Sequence, residues 1–420
     1  MPPVKNALAI VDAAVATMAP AAPAPSGQDQ DQGYGLIRDA ALVIEDEHVA
    51  WIGPRSALPD QWRQADQYPA GGRLITPGLV ECHARPLFGD PGRAGQQGRP
   101  PGREAGAIHA IAAATRAASD EDLLSAAVRR AWWFIRQGVT TLEVKTGYGL
   151  DAEGELRLLR IAGQLRDVLP VRVRVTLLAG HAYPPGADSD EDREEYVIQV
   201  CDELLPAAIA QGGFDYVEVY CEETAGISME DASTILETVY RKKIPTRVSA
   251  DHLSDSAGGA LAPAFYAKAA AHLDYTDDIA VEAMGKAGTT AVLVPVSVVE
   301  LGLPGHRPPV ELLRERGVPM AVSTGFSPDT APLADPRAAA HLAWAAYGLT
   351  RQEALHGITA VAARALALSD GTGTLAPGGP ADLVIWDAAH PEDLIHWLGA
   401  PVCQEVWAAG QPVAQPGPAR

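Results

Sequence analysis

The residues best equipped for chemistry close a short apolar run, Thr76-Pro77-Gly78-Leu79-Val80-Glu81-Cys82-His83-Ala84-Arg85. Alternate residues of a strand share a face, so imidazoles at 83 and 85 would grip one divalent ion, as in a metal hydrolase. The second position is instead Arg85, a permanent cation with donors and no acceptor. That charge repels a divalent ion at contact distance. A strand-end charge needs a partner, and a nearby carboxylate such as Glu143 is one candidate for a salt bridge to Arg85. Lys145 reads as a structural strand-end cation. His181, His252 and His272 also follow apolar runs, and Tyr148 lies in a Gly-Tyr-Gly turn.

Positioning these residues falls to a repeated unit of short buried strand and amphipathic helix. Strands are expected near 79–83, 139–145, 171–177, 215–220, 246–250, 269–273, 291–295 and 320–324, with helices such as Glu121 to Arg136 and Asp231 to Arg241 between them. This α/β order implies a (β/α)8 TIM barrel, whose reactive side chains gather at the carboxyl ends of its strands. Before it, Ala41 to Ile44 and Val49 to Ile52 read as strands around a turn at Asp46 and Glu47, and Pro20 to Gln32 as a surface loop. After Ala365, a turn-rich stretch from Gly371 to Pro380 leads into strands at Leu383 to Trp386 and Val402 to Ala408. The two chain ends are expected to form one small β-sandwich domain, giving segments 1–75, 76–365 and 366–420.

A chain of 420 residues with 47% hydrophobic content can build a core of this size. The formal charge of −20 disfavours nucleic acid, while a few arginines can still attract a small anionic substrate. No uninterrupted apolar run reaches about eighteen residues, and Met1 to Pro25 lacks the basic head of a secretion signal. Cys82, Cys201, Cys221 and Cys403 are far apart with no CxxC pair, so neither a disulfide framework nor a thiolate zinc site is expected. These features place the protein in the cytoplasm, away from membranes; a homodimer is the expected assembly.

Several stretches carry a resemblance: Ile75 to His83, Ala114 to Ser119, Gly138 to Leu150 with Lys-Thr-Gly-Tyr-Gly-Leu, Gly180 to Pro185, Tyr220 to Glu222, and Val322 to Pro328. Through them the chain resembles the amidohydrolase superfamily and, within it, the imidazolonepropionases, ring-opening enzymes of histidine breakdown, over nearly its whole length. The resemblance implies one zinc or iron ion held by a His-x-His pair, a histidine ending the fifth strand and an aspartate ending the eighth, which lowers the pKa of a bound water. Carried over, these positions hold His83, Arg85, Ser249 and Gly325. A single imidazole remains, so no metal is expected there. Zinc or iron would require a site rebuilt from His83, His181, His252 and His272.

The resemblance also implies that Tyr148 and His181 contact the ring and its side-chain carboxylate, that His272 lies where a histidine touches the attacking water, and that His252 replaces a Glu or Gln. An imidazole at 252 is expected to serve as a base near pH 7. Arg93 lies near the place of the carboxylate-binding arginine, Ser327 replaces an Asn and Asp329 a Gly. His48, His109, His306, His341, His356, His390 and His396 read as structural or surface residues. The favoured function is hydrolysis of an imidazolone propionate-type ring without the family metal, with His272, His252, Arg85 and His83 catalytic and Tyr148, His181, Arg93, Ser249 and Ser327 binding substrate. A ring with a sulfur leaving group, thio or S-alkyl, would lower the barrier that the metal otherwise lowers. The alternatives are a non-catalytic binder of an imidazole-derived acid and an ordinary metal-dependent imidazolonepropionase.

Overall fold

The computed structural model describes residues 7–19, 30–92, 104–303 and 306–414. Two eight-stranded sheets organise them. The first joins the chain ends: β1 (Ala7–Ala16), β2 (Leu36–Glu45), β3 (His48–Pro54), β4 (Asp66–Pro69) and β5 (Leu74–Pro77) come from one end. The second sheet is all parallel: β6 (Leu79–Glu81), β7 (Val139–Lys145), β8 (Arg172–Gly180), β9 (Tyr216–Cys221), β10 (Thr246–Ala250), β11 (Ala269–His272), β12 (Thr290–Leu293) and β13 (Met320–Val322). β14 (Leu383–Trp386), β15 (Cys403–Ala408) and β16 (Gln411–Pro412) then complete the first sheet. β5 links the two ends, running parallel to β1 and antiparallel to β14.

The parallel sheet follows chain order from β6 to β13. Both of its faces are covered, so β7, β9 and β10 are buried at every residue and lack polar alternation. Helices start where caps allow: the Ser119 hydroxyl accepts from Asp122 N–H to open Asp120–Ile135, and Asp151 accepts from Gly154 N–H to open Ala152–Val168. Each such cap contributes about 1 kcal/mol.

The sheet curls enough for its outer strands to meet. Arg85 N–H donates to Phe326 O at 2.8 Å, and Thr324 N–H donates to Glu81 Oε2 at 3.1 Å. The Ser323 hydroxyl also donates to Glu81. This junction sets the tails of β6 and β13 side by side.

The parallel strands and β2, β3, β14 and β15 overlap their expected positions, whereas β1, β4, β5 and β16 were not foreseen. Gln30–Tyr34 forms a 3-10 helix where a loop was expected, and the rest of that expected loop, 20–29, lies outside the described residues. Arg93 also lies outside them. The four cysteines are unpaired, and among the described residues no helix is long and apolar enough to cross a membrane.

Candidate active site at the carboxyl ends of the parallel strands

Parallel strands deliver their last side chains to one end of the sheet. His83 and Arg85 follow β6, Tyr148 follows β7, His181 follows β8, Ser249 lies on β10 with His252 just beyond it, and His272 ends β11. All are buried, as is Ser327 beyond β13.

Arg85 is central to this group. Its Nη1 donates to His181 Nε2 at 2.8 Å, and His181 Nδ1 donates to Gly147 O at 2.8 Å. The Gly147 carbonyl therefore fixes the His181 tautomer, leaving Nε2 free to accept from Arg85. Burial, reinforced by the Arg85 charge, holds the His181 pKa below the ordinary histidine range. Tyr148 packs edge-on against His181 at 5.1 Å between ring centroids, and its hydroxyl points to Asp329 Oδ1 at 3.5 Å.

The expected Arg85–Glu143 salt bridge does not form. Glu143 and Lys145 share one face of β7, and Lys145 Nζ lies 3.1 Å from Glu143 Oε1 while also bonding Glu218. Arg247 Nε lies 3.3 Å from Glu218 Oε2, and its Nη2 donates to Cys82 O at 2.7 Å. Lys145 is thus part of a buried charge lattice. No carboxylate among the described residues comes within ion-pair distance of Arg85, whose Nε lacks a hydrogen-bond partner.

The histidines form a second group. His252 and His272 stack at 3.9 Å with rings 19° apart, and His83 meets His272 edge-on at 5.3 Å. The Tyr220 hydroxyl lies 3.1 Å from His252 Nδ1. Burial drives the His252 pKa down to about 3 and those of His83 and His272 well below the usual value. The expectation of a base near pH 7 at His252 is therefore corrected: desolvation keeps these imidazoles neutral and weakly basic. Asp251 does not orient His252; it accepts from Gly258 N–H, Gly259 N–H and the Thr276 hydroxyl.

The positions that the resemblance assigns to a metal do not fit one. Arg85 places a guanidinium there, and the Ser249 hydroxyl donates to Glu218 Oε1 at 2.7 Å. Gly325 has a φ of +67°, and a Cβ on it would come within 2.1 Å of Val294 Cγ1, so this backbone has no room for an aspartate. The rebuilt four-histidine set also differs from what the fold assembles, since both His181 nitrogens are engaged. Among the described residues, His252, His272 and Asp274 bring ligand atoms within 4.8 Å of one another. Asp274 Oδ1 accepts from the Tyr347 hydroxyl at 3.1 Å, and its Oδ2 has no partner.

Beside this centre lies a cavity of about 550 Å³, lined by Phe88, Asp90, Arg129, Arg130, Trp133 and Ser327 among others. Arg130 is held by the Pro86 and Phe88 carbonyls and stacks on the Phe88 ring, 3.4 Å from its centroid. Arg129 and Arg130 went unnoticed in the sequence reading, since two basic residues in an amphipathic helix give no motif; Asp329 was noted there as standing for a Gly but was given no role.

A protein from Paracoccus denitrificans named imidazolonepropionase is 39% identical over 378 residues, covering 88% of this chain and 93% of that one. The chain belongs to the imidazolonepropionase family of the amidohydrolase superfamily. An imidazolonepropionase of Cereibacter sphaeroides is similar at 40% identity, over 87% of this chain and 93% of its own. Residues 217–414 match the amidohydrolase family model. Among solved structures, N-isopropylammelide isopropylaminohydrolase from Burkholderia multivorans shares the fold, with a TM-score of 0.70, 19% identity and 98% of both chains covered. The family places this protein among the hydrolases of cyclic amide carbon–nitrogen bonds.

Proposed function

We propose that this protein hydrolyses an imidazolone propionate-type ring without a metal at the family position, and that its ring carries sulfur, as thio or S-alkyl, on the carbon between the nitrogens. The supporting observation is a concentration of unpaired buried polar atoms around Arg85: both His83 ring nitrogens, Arg85 Nε, His252 Nε2, His272 Nδ1 and Asp274 Oδ2. Buried polar groups are nearly always satisfied, so this many orphans in one place call for a polar guest.

In this reading Tyr148, His181, Ser249 and Ser327 hold the ring, and Arg129, Arg130 and Arg93 draw in the propionate. His83, His252 and His272 present neutral imidazole nitrogens to ring atoms. Arg85 faces the negative charge that develops as water adds to the ring, the task a metal performs in relatives that keep one. A sulfur leaving group departs as a stable anion or thiol, which is why one guanidinium suffices. The same reading keeps a (β/α)8 barrel at 76–365, with 1–75 and 366–420 as a β-sandwich, in a cytoplasmic homodimer acting within the breakdown of histidine derivatives. A metal-dependent reading has one observation in its favour, the His252, His272 and Asp274 grouping.

The test is turnover by metal-stripped protein, followed by ring absorbance, of imidazolone propionate and its 2-thio and S-methyl analogues. Turnover of a sulfur analogue in the presence of chelator is expected. Activity confined to the oxygen ring and restored only by added zinc or iron would overturn the proposal.

A further inference from the structure

The carboxylates around this centre are mostly engaged. Glu81 accepts from His83 N–H, Thr324 N–H and Ser323, and Glu143 and Glu218 belong to the lattice of Lys145 and Arg247. Glu222 accepts from the backbone N–H groups of His252 and Leu253, and Asp251 caps Gly258 and Gly259. Asp329 differs. It is 7% exposed, and its bonds are local or long: the Ser327 side chain and its own backbone N–H bond it, and the Tyr148 hydroxyl points to it at 3.5 Å.

Its loop is built to aim it. Ser327 N–H donates to Ala331 O, and Thr330 N–H donates to the Ser327 hydroxyl at 3.2 Å, so residues 327–331 form a tight turn with Asp329 near its tip. The turn is tied to the strand tail bearing Arg85 by the bond from Arg85 N–H to Phe326 O. Two opposite charges thus stand on adjoining backbones, near enough to affect each other electrostatically, without a direct ion pair. Burial opposes the charge on Asp329, but Arg85, Ser327 and His181 outweigh it and keep the carboxyl below its ordinary range. Glycine stands at 329 in the family by resemblance, and the family's aspartate position is Gly325 here, so one carboxylate has gone and another has arrived.

We propose that Asp329 is the catalytic base that takes the proton from the attacking water, across a gap whose far side is Arg85. The inference rests on the hydrolytic reading above. In the thiol tautomer of the 2-thio ring, as in the S-alkyl ring, the water oxygen bonds to the ring carbon bearing sulfur while its proton passes to an Asp329 oxygen, and the carbon–nitrogen double-bond pair moves onto the ring nitrogen facing Arg85. That pair then re-forms the double bond, the carbon–sulfur bond breaks, and sulfur leaves with the bonding electrons. Asp329 returns the proton to it, so water has replaced sulfur by oxygen and released hydrogen sulfide or a thiol.

The experiment compares wild type with Asp329→Asn and Asp329→Gly on 2-thioimidazolone propionate, with imidazole propionate as the unreactive probe for calorimetric binding. Asp329→Asn is expected to lower kcat by on the order of 100-fold or more while binding the probe within about threefold of wild type. Added formate is expected to restore at least about tenfold of the Asp329→Gly turnover, an effect that a purely structural carboxylate would not produce. Retention of kcat in Asp329→Asn, loss of probe binding, or absence of rescue by formate each overturns the base role. An inactive wild type overturns the hydrolytic reading itself and the base role with it.

Discussion

Two groups of buried charge lie a few residues apart on the same strands and are treated in opposite ways. In the lattice of Glu143, Lys145, Glu218 and Arg247, each charge has an opposite charge in reach. Around Arg85, His83, His252, His272 and Asp274, polar atoms are buried without partners. The lattice holds strands together through paired charges even though Glu143 Oε2 and Arg247 Nε lack a hydrogen bond, whereas the orphaned atoms around Arg85 lack both hydrogen bonds and opposite charges at contact, a state that costs stability and persists where a ligand completes it. The contrast separates the part of the sheet that maintains the fold from the part proposed to hold substrate.

The largest effect should come from breaking the lattice. Lys145→Met leaves Glu143 and Glu218 with Arg247 as their remaining cation, and is expected to destabilise the protein by about 3–5 kcal/mol in urea unfolding. Arg85→Met should cost less. It removes a buried cation in no direct ion pair, whose charge nevertheless helps keep Asp329 ionised, so the loss of stability is expected to stay below about 2 kcal/mol, while kcat on the thio substrate falls on the order of 100-fold or more. Equal losses of stability in the two variants would erase the distinction between the clusters.

A smaller effect concerns pH. His252 has a folded pKa of about 3 against an ordinary 6.5, so the unfolded chain binds more protons between these values and stability is lost as pH falls through that window. Buried Asp251 and Asp274, with raised pKa values, act with the opposite sign, so the difference between His252→Gln and wild type is the informative quantity. That difference is expected to shift in favour of the variant by about 1 kcal/mol per pH unit from pH 6 to 4, measured by urea unfolding at each pH. A pH-independent difference would mean that His252 is not held neutral. The smallest expected effect is that of chelation: dialysis against a chelator should leave turnover of the sulfur substrate within about twofold, with less than roughly 0.1 zinc or iron per chain by elemental analysis.

Much of the fold was legible because fully buried parallel strands read as continuous apolar runs, and Leu383–Trp386 was placed to the residue. The gathering of His83, Arg85, Tyr148, His181, Ser249, His252 and His272 was legible for a related reason, since strand ends in such a sheet converge. Partner choice was not. Glu143 looked free for Arg85, but the period of two along β7 puts Lys145 on the same face and nearer. Nor could the strand pattern reveal that burial would strip His252 of its basicity, or that the turn at Ser327 would carry Asp329 back toward Tyr148.

The junction between β6 and β13 has a consequence for motion. Neighbouring strands elsewhere in the sheet are joined by backbone ladders, whereas these two meet largely through the Glu81 side chain and the single bond from Arg85 N–H to Phe326 O. Such a seam can part without unzipping a ladder. Amide exchange at Arg85 and Thr324 should then outpace that of β7 and β9, and a brief parting there would draw the Arg85 and Asp329 loops apart, giving the buried centre its exchange with solvent.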